Sequence, residues 1–395
     1  MRGGIHVGRI FGINIHVDWS WIFIFLLVTW QLVAAVFPSL HPDWSFGLTL
    51  AVSLAASLLF FGSVLAHELA HSLMAKARGL PVRRITLFIF GGVSNIEREP
   101  DTPVSEFLIS VVGPITSLVL GALFFFLGAQ EVTFPLTPQT LSQLDPVSTL
   151  LLWLGPINIL LGIFNLIPGF PLDGGRVLRS ILWAMTNDLR RATRWATFVG
   201  QGVAWLFIIA GIAMAFGVEI PFLGTGLIGG LWLAFIGWFL NNAAAQSYQQ
   251  VVIEDVLEGV PVSRLMRADA PTVPPDISVS QMVDEYLMGT DERAFPVVEQ
   301  DRLIGLVCLE DVRKVPRAEW DQTRLSKIMT PAEQLDVVTP REDATDALRK
   351  LSGKDVRQVP VVQGDRLVGM LRRRDIVRWL QLHSNTTAGS AGRGI

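Results

Sequence analysis

The chain has 395 residues, of which 50% are hydrophobic and only 17% charged, against about a quarter charged in ordinary soluble domains. That balance points to a membrane protein, and a net charge of −3 with no basic run argues against nucleic acid as a partner. Cys308 is the sole cysteine, which excludes an intramolecular disulfide and any cysteine-rich metal site.

The opening stretch "MRGGIHVGRIFGINIHVDWS" lacks the apolar core and small-residue cleavage site of a signal peptide and reads as a mobile leader carrying His6 and His16. Six apolar runs follow, at about 19–37, 47–76, 104–128, 147–168, 198–217 and 223–245. Each reaches the roughly 20 residues a helix needs to cross a bilayer. The first reads as an uncleaved anchor. The second is overlong, so its end projects past the hydrocarbon or lies in protein. Pro156, Asn158 and Asn165 make the fourth a bent helix packed inside the bundle, where polar groups are tolerated. Segments 38–46 and 129–146 hold no Lys or Arg, whereas Lys76, Arg78, Arg83, Arg84, Arg176, Arg179, Arg190, Arg191 and Arg194 fall on alternate connections. The asymmetry predicts a multi-pass protein of the cell membrane, in contact with lipid, with both termini cytoplasmic.

Within the second span, "VLAHELAHSLMAKARGL" places His67 and His71 one helical turn apart on a shared face, with Glu68 between them. H-E-x-x-H on a helix is the pattern of zinc hydrolases. Ionisable groups inside a span are functional by default, because lipid makes them costly. A catalytic zinc takes three protein donors and keeps a fourth position open, so one donor is still owed. The other histidines, His6, His16, His41 and His383, are poorly placed. Asp173 in "FNLIPGFPLDGGR" is better, because it follows the fourth span on the side toward which the histidine helix descends. Pro168 and Pro171 stiffen the approach, and Gly174 and Gly175 allow a tight turn. Taken alone, an aspartate there would more often be a turn or a cap. Its partnership with the histidines makes it the third ligand.

"RRITLFIFGGVSN", between the second and third spans, is strand-like and ends in a Gly-Gly turn. An exposed strand edge there could bind an unwound substrate, placing Gly91 and Gly92 beside it; an ordinary loop is the alternative. Asn158 and Asn165, seven residues apart on one helix side, are candidate oxyanion donors, with interhelical hydrogen bonding an equal alternative.

From about residue 250 the chain reads as soluble and repeats itself. Met266, Pro296, Gly305 and Asp311 recur as Met329, Pro360, Gly369 and Asp375, 63 or 64 residues further on. Each unit reads as strand, helix, hairpin turning at "QDR" or "GDR", and helix. This tandem unit resembles a CBS (Bateman) pair, with repeats at about 260–316 and 323–380. The resemblance implies adenine nucleotide in the cleft, with Asp311 and Asp375 in the ribose-binding positions. Cys308 and Arg372 replace the hydroxyl residue of that pattern in the two repeats, and dimerisation is the competing role. Arg372, Arg373 and Arg374 could meet phosphates or form a solvated basic face.

"AHELAHSLMAKARG", "FIFGGVSN" and "NLIPGFPLDGGR" together resemble the site-2 protease family of intramembrane zinc metalloproteases, one branch of which carries six spans and a CBS pair. The resemblance implies Zn2+ on His67, His71 and Asp173, Glu68 as catalytic base, and a membrane-embedded β-hairpin near the site. The expected fold is an α-helical polytopic membrane domain over 1–247, a soluble α+β tandem CBS module over 248–383 and a disordered tail over 384–395. The expected activity is cleavage of a single-span membrane protein near the cytoplasmic face, by a homodimer joined through either domain. A CBS-regulated transporter is the rival, but it predicts ionisable groups spread along several spans rather than gathered at one end of two.

Overall fold

In the computed structural model, residues 4–383 are described except 90, 97, 132–141, 222–223, 289, 291 and 354–355. The expected tail, 384–395, lies outside the described residues. The chain divides into two compact units, Met1–Gln249 and Gln250–Ile395.

The first unit opens with two strands where a mobile leader was expected, β1 (Ile5–Ile10) and β2 (Ile13–Val17). They form a hairpin turning at Phe11 and Gly12, both at positive φ (48° and 79°), the conformation of a tight primed turn. The alternating Ile13, Ile15 and Val17 carried the strand signal.

Six helices are long and apolar enough to cross a membrane. They are α1 (Trp19–Leu40), α2 (Phe46–Ala77), α3 (Pro103–Gly128), α4 (Pro146–Asn165), α6 (Leu189–Ala215) and α7 (Leu227–Leu257). The shorter α5 (Asp173–Thr186) lies between α4 and α6. Side chains at the N-termini define several starts: Ser45 caps α2, Thr102 caps α3, Asp145 caps α4 and Asp188 caps α6. Asp188 accepts from the Arg191 N–H at 2.9 Å, so the fifth span begins at Leu189, well before its expected start, and takes three arginines into its first turns. The fourth ends at Asn165, short of the expected 168, and stays helical through Pro156.

Glycine lets α3 and α4 pack closely. A Cβ on Gly121 would sit 2.8 Å from the Gly155 carbonyl oxygen, and one on Gly162 would sit 3.0 Å from that of Pro114. Small residues at a contact are how membrane helices gain dispersion contact without a hydrophobic drive.

Two further strands, β3 (Val82–Phe88) and β4 (Gly91–Ile96), complete a sheet of order β1-β2-β3-β4. β2 and β3 run parallel, Ile15 opposite Ile85, while β3 and β4 are antiparallel, Leu87 opposite Gly92. Gly91 and Gly92 therefore open β4 and do not form the expected turn. Ile13, Ile15 and Ile85 bury against Leu65, Leu69 and Leu73, a stripe at every fourth residue of α2. The sheet is thus laid along the histidine helix, and β4 is an edge strand.

In the second unit β5 (Ala294–Glu299) and β6 (Arg302–Cys308) form one hairpin, and β8 (Gln358–Gln363) and β9 (Arg366–Arg372) another. They turn where "QDR" and "GDR" predict, with Gln300, Asp301 and Gly364 at positive φ. The short β7 (Thr330–Pro331) joins β6, giving a five-stranded sheet of order β5-β6-β9-β8 with β7 beside β6. One core gathers Val279, Met282, Phe295 and Val307, and the other Ala347, Leu351, Val359 and Leu371.

Candidate metal centre and active site

His67 and His71 are both buried, and their Nε2 atoms lie 3.1 Å apart. Asp173 is the first residue of α5, and its Oδ2 lies 3.0 Å from Nε2 of His67 and 3.1 Å from Nε2 of His71. Gly174 and Gly175 bring it there by close approach and sit in the first turn of α5, not in a separate tight turn. A Cβ on Gly174 would run into the carbonyls of Leu166 and Ile167, and one on Gly175 into Gly169 and Phe170.

α3 backs both rings. His71 Nδ1 lies 2.5 Å from the Ile109 carbonyl, which can only accept, so this nitrogen carries the proton and a neutral ring presents its Nε2 lone pair to the centre. His67 Nδ1 lies 2.9 Å from Ser117 Oγ. Two imidazole nitrogens and a carboxylate oxygen thus converge, an arrangement that repels itself unless a cation joins it. Bonds of about 2.0–2.1 Å to a tetrahedral zinc would space donors by about 3.3 Å, close to the observed triangle of 3.0–3.1 Å. A Cβ on Gly113 of α3 would lie 2.7 Å from His67 Nε2 and collide with that of His71, so α3 offers bare backbone here. The residues fit a metal ion, and they form the one such donor group among the described residues.

Glu68 stands beside this group without joining it. Its side chain meets β4: a Cβ on Gly92 would fall against Glu68 Cγ and 3.0 Å from Cδ. Gly91 needs glycine for its φ of +124°, and among the described residues nothing beyond its chain neighbours lies within 4 Å of a Cβ built there. Ser94 of β4 is tied to α2 through Ser72, Oγ to Oγ, at 2.7 Å.

The two asparagines turn back on their own helix. Asn158, fully buried, donates to the Leu154 carbonyl at 2.9 Å, and Asn165 to that of Leu161 at 2.9 Å. Asn158 Oδ1 has no hydrogen-bond partner among the described residues.

In the second unit, Asp311 accepts from the Cys308 N–H at 3.0 Å and from Lys314 Nζ at 2.8 Å. Asp375 receives two bonds from Arg372, at 2.7 and 2.9 Å, and Arg372 also reaches Glu292 at 2.5 Å. Arg267 and Arg374 join the same Glu292 oxygen, each at 3.0 Å.

The sequence reading missed the groups behind the site: Ser117, the Ile109 carbonyl, and the ion pairs of Glu106, Glu99 and Arg179. One signal was available. Glu106, Gly113 and Ser117 recur at helical spacing in an apolar span, and a carboxylate there calls for a partner.

Residues 55–144 and 133–209 match the profile of peptidase family M50, and residues 262–318 and 325–382 match that of the CBS domain. The chain is 34% identical over 384 residues to sll0528 of Synechocystis, named as a candidate zinc metalloprotease, covering 96% of each chain. It is 35% identical over 387 residues to Rip3 of Mycobacterium tuberculosis, named likewise, covering 97% of this chain and 94% of the other. A solved site-2 protease from Methanocaldococcus jannaschii aligns with a TM-score of 0.40 at 26% identity, over 62% of this chain and 95% of that one. With such identity over nearly the full length of both relatives, the chain belongs to peptidase family M50, the site-2 protease family of zinc metalloendopeptidases, and carries a tandem CBS pair behind its membrane spans.

Proposed function

We propose that this chain cleaves membrane-spanning substrates with zinc held by His67, His71 and Asp173 and with Glu68 as the base. The observation that carries the reading is the convergence of those three donors within 3.1 Å, with the neighbouring Glu68 against Gly92 of the edge strand β4. Bound there, zinc supplies a Lewis acid that polarises the scissile carbonyl and acidifies water. Glu68 takes the proton from the attacking water and returns it to the leaving nitrogen. Asp173 and the two imidazoles hold fixed positions through α5 and α3, so little reorganisation accompanies the step.

A helical segment must unwind before its amide can be attacked. β4 offers a strand edge on which the extended segment gains main-chain hydrogen bonds, with bare backbone at Gly92 where it passes Glu68. Lys76, Arg78, Arg83 and Arg84 follow the histidine turns, and Arg176 and Arg179 follow Asp173. The positive-inside asymmetry supports a cytoplasmic side for this end, and with it cleavage near the cytoplasmic face of the cell membrane and both termini inside. Substrates with a single span fit best, because one strand edge receives one segment. For the CBS pair we favour a homodimer contact over nucleotide sensing, since Arg372 already engages both oxygens of Asp375.

The test compares wild type with Glu68→Gln in detergent, measuring bound zinc and cleavage of a panel of single-span peptides. Zinc in both, with cleavage only by wild type, is the expected result. Absence of zinc from both would overturn the metal centre.

A further inference from the structure

Arg179, on α5, is 2% exposed, and Glu106, on α3, is 0% exposed. Arg179 Nε donates to Glu106 Oε1 at 2.5 Å, and its Nη2 donates to Glu99 Oε2 at 2.7 Å. Arg176 Nε lies 3.8 Å from the same Glu106 oxygen, and the Arg179 guanidinium lies over the Phe170 ring, 5.4 Å from its centroid. A buried ion pair is a poor stabiliser compared with apolar packing, because desolvation offsets its attraction. Its placement therefore asks for a reason other than stability.

The three elements it joins are those that build the site. α5 begins with Asp173, about 9 Å along the helix axis from Arg179. α3 carries Glu106 on the stripe that continues through Ile109, Gly113 and Ser117, the wall behind both imidazoles. Glu99 belongs to the connector that leaves β4, the strand whose Gly92 lies against Glu68. Arginine suits such a junction, because its planar fork donates in several fixed directions, whereas lysine offers a single point charge.

We infer that Arg179 is a positioning residue: one buried guanidinium, held between Glu106 and Glu99, sets both the reach of Asp173 toward the imidazoles and the place of β4 beside Glu68. The inference rests on the reading of the site proposed above. Its two arms have separate consequences. The Glu106 arm governs metal affinity through Asp173. The Glu99 arm governs substrate binding through β4.

The test uses full-length protein in detergent and three variants: Glu106→Met with Arg179→Met, Glu99→Gln, and Arg179→Lys. The double variant removes both charges and keeps apolar volume, so the fold is expected to survive. Zinc affinity is read by chelator competition, KM and kcat on a cleaved single-span peptide, and folding by thermal unfolding. In the double variant zinc affinity should fall about 10- to 100-fold, as when groups behind metal ligands are lost, and KM should rise. Glu99→Gln should raise KM with zinc affinity as in wild type. Arg179→Lys should restore part of the zinc affinity that the double variant loses. A folded double variant with wild-type zinc affinity and KM would overturn the proposal, as would a Glu99→Gln that lowers zinc affinity as much as it raises KM. If the double variant does not fold, the contrast between zinc affinity and KM in the other two decides. Wild type without zinc overturns the reading of the site itself, an outcome distinct from wild type with zinc and indifferent variants.

Discussion

Ser117 Oγ on the third span lies 2.9 Å from Nδ1 of His67 on the second. The hydroxyl lies behind the ring, on the side away from the donor group, and holds Nε2 turned toward that group. Ser117→Ala should keep the fold and weaken zinc binding by about 10-fold or more, as losses behind metal-bound histidines do. Chelator competition reads this directly, and unchanged affinity would show that the ring is oriented without the hydroxyl.

Asp173 links α5 to the histidine helix through the group it completes. Zinc at about 100 times its dissociation constant should add about 2.7 kcal/mol to wild-type stability. Asp173→Ala should lose most of that increment, because two imidazoles alone bind the ion weakly. Thermal unfolding with and without added zinc measures the difference; an equal gain in both proteins would remove Asp173 from the ligand set.

Gly92 is the close approach between β4 and Glu68. A methyl group there would fall on Glu68 Cγ, so Gly92→Ala must turn the carboxylate aside. We expect kcat to drop at least about 10-fold, since misplacing a proton-transfer group forfeits part of a typical 10²- to 10⁴-fold contribution. Zinc content should not change. A variant with wild-type kcat would mean that β4 yields instead.

How much of this could be read beforehand depended on sequence distance. The i, i+4 histidines and the apolar runs are local patterns, and local patterns survive in a single sequence. Asp173 could be named because helix exits restrict where the chain returns. The leader was misread although the turn at Phe11 and Gly12 and the alternating Ile13, Ile15 and Val17 mark a hairpin; what no local pattern shows is the second partner of β2, the parallel strand β3 on the far side of two spans. Ser117 and Gly113 look like ordinary small residues of a packed span, and nothing local distinguishes a serine behind a metal ligand. The start of α6 was missed because Arg190, Arg191 and Arg194 end the apolar run without ending the helix.

Arg372 stands where the CBS pattern has a hydroxyl, and it fills both acceptor oxygens of Asp375. Bidentate arginine–carboxylate pairs are strong, so AMP should show no saturable binding to wild type up to about 1 mM in equilibrium dialysis. Arg372→Ser restores the hydroxyl, frees Asp375 and should gain binding. Saturable binding by wild type would show that the pair opens to a ligand.

Asp173 comes 102 residues after His71, with two complete spans between them. On the ribosome the imidazole pair therefore exists long before the carboxylate. A nascent chain that has completed only α3 owns Glu68, β4 and two of the three grouped side chains, one fewer than a catalytic zinc takes. Catalytic competence arrives only after α4 has crossed and α5 has folded back against α3.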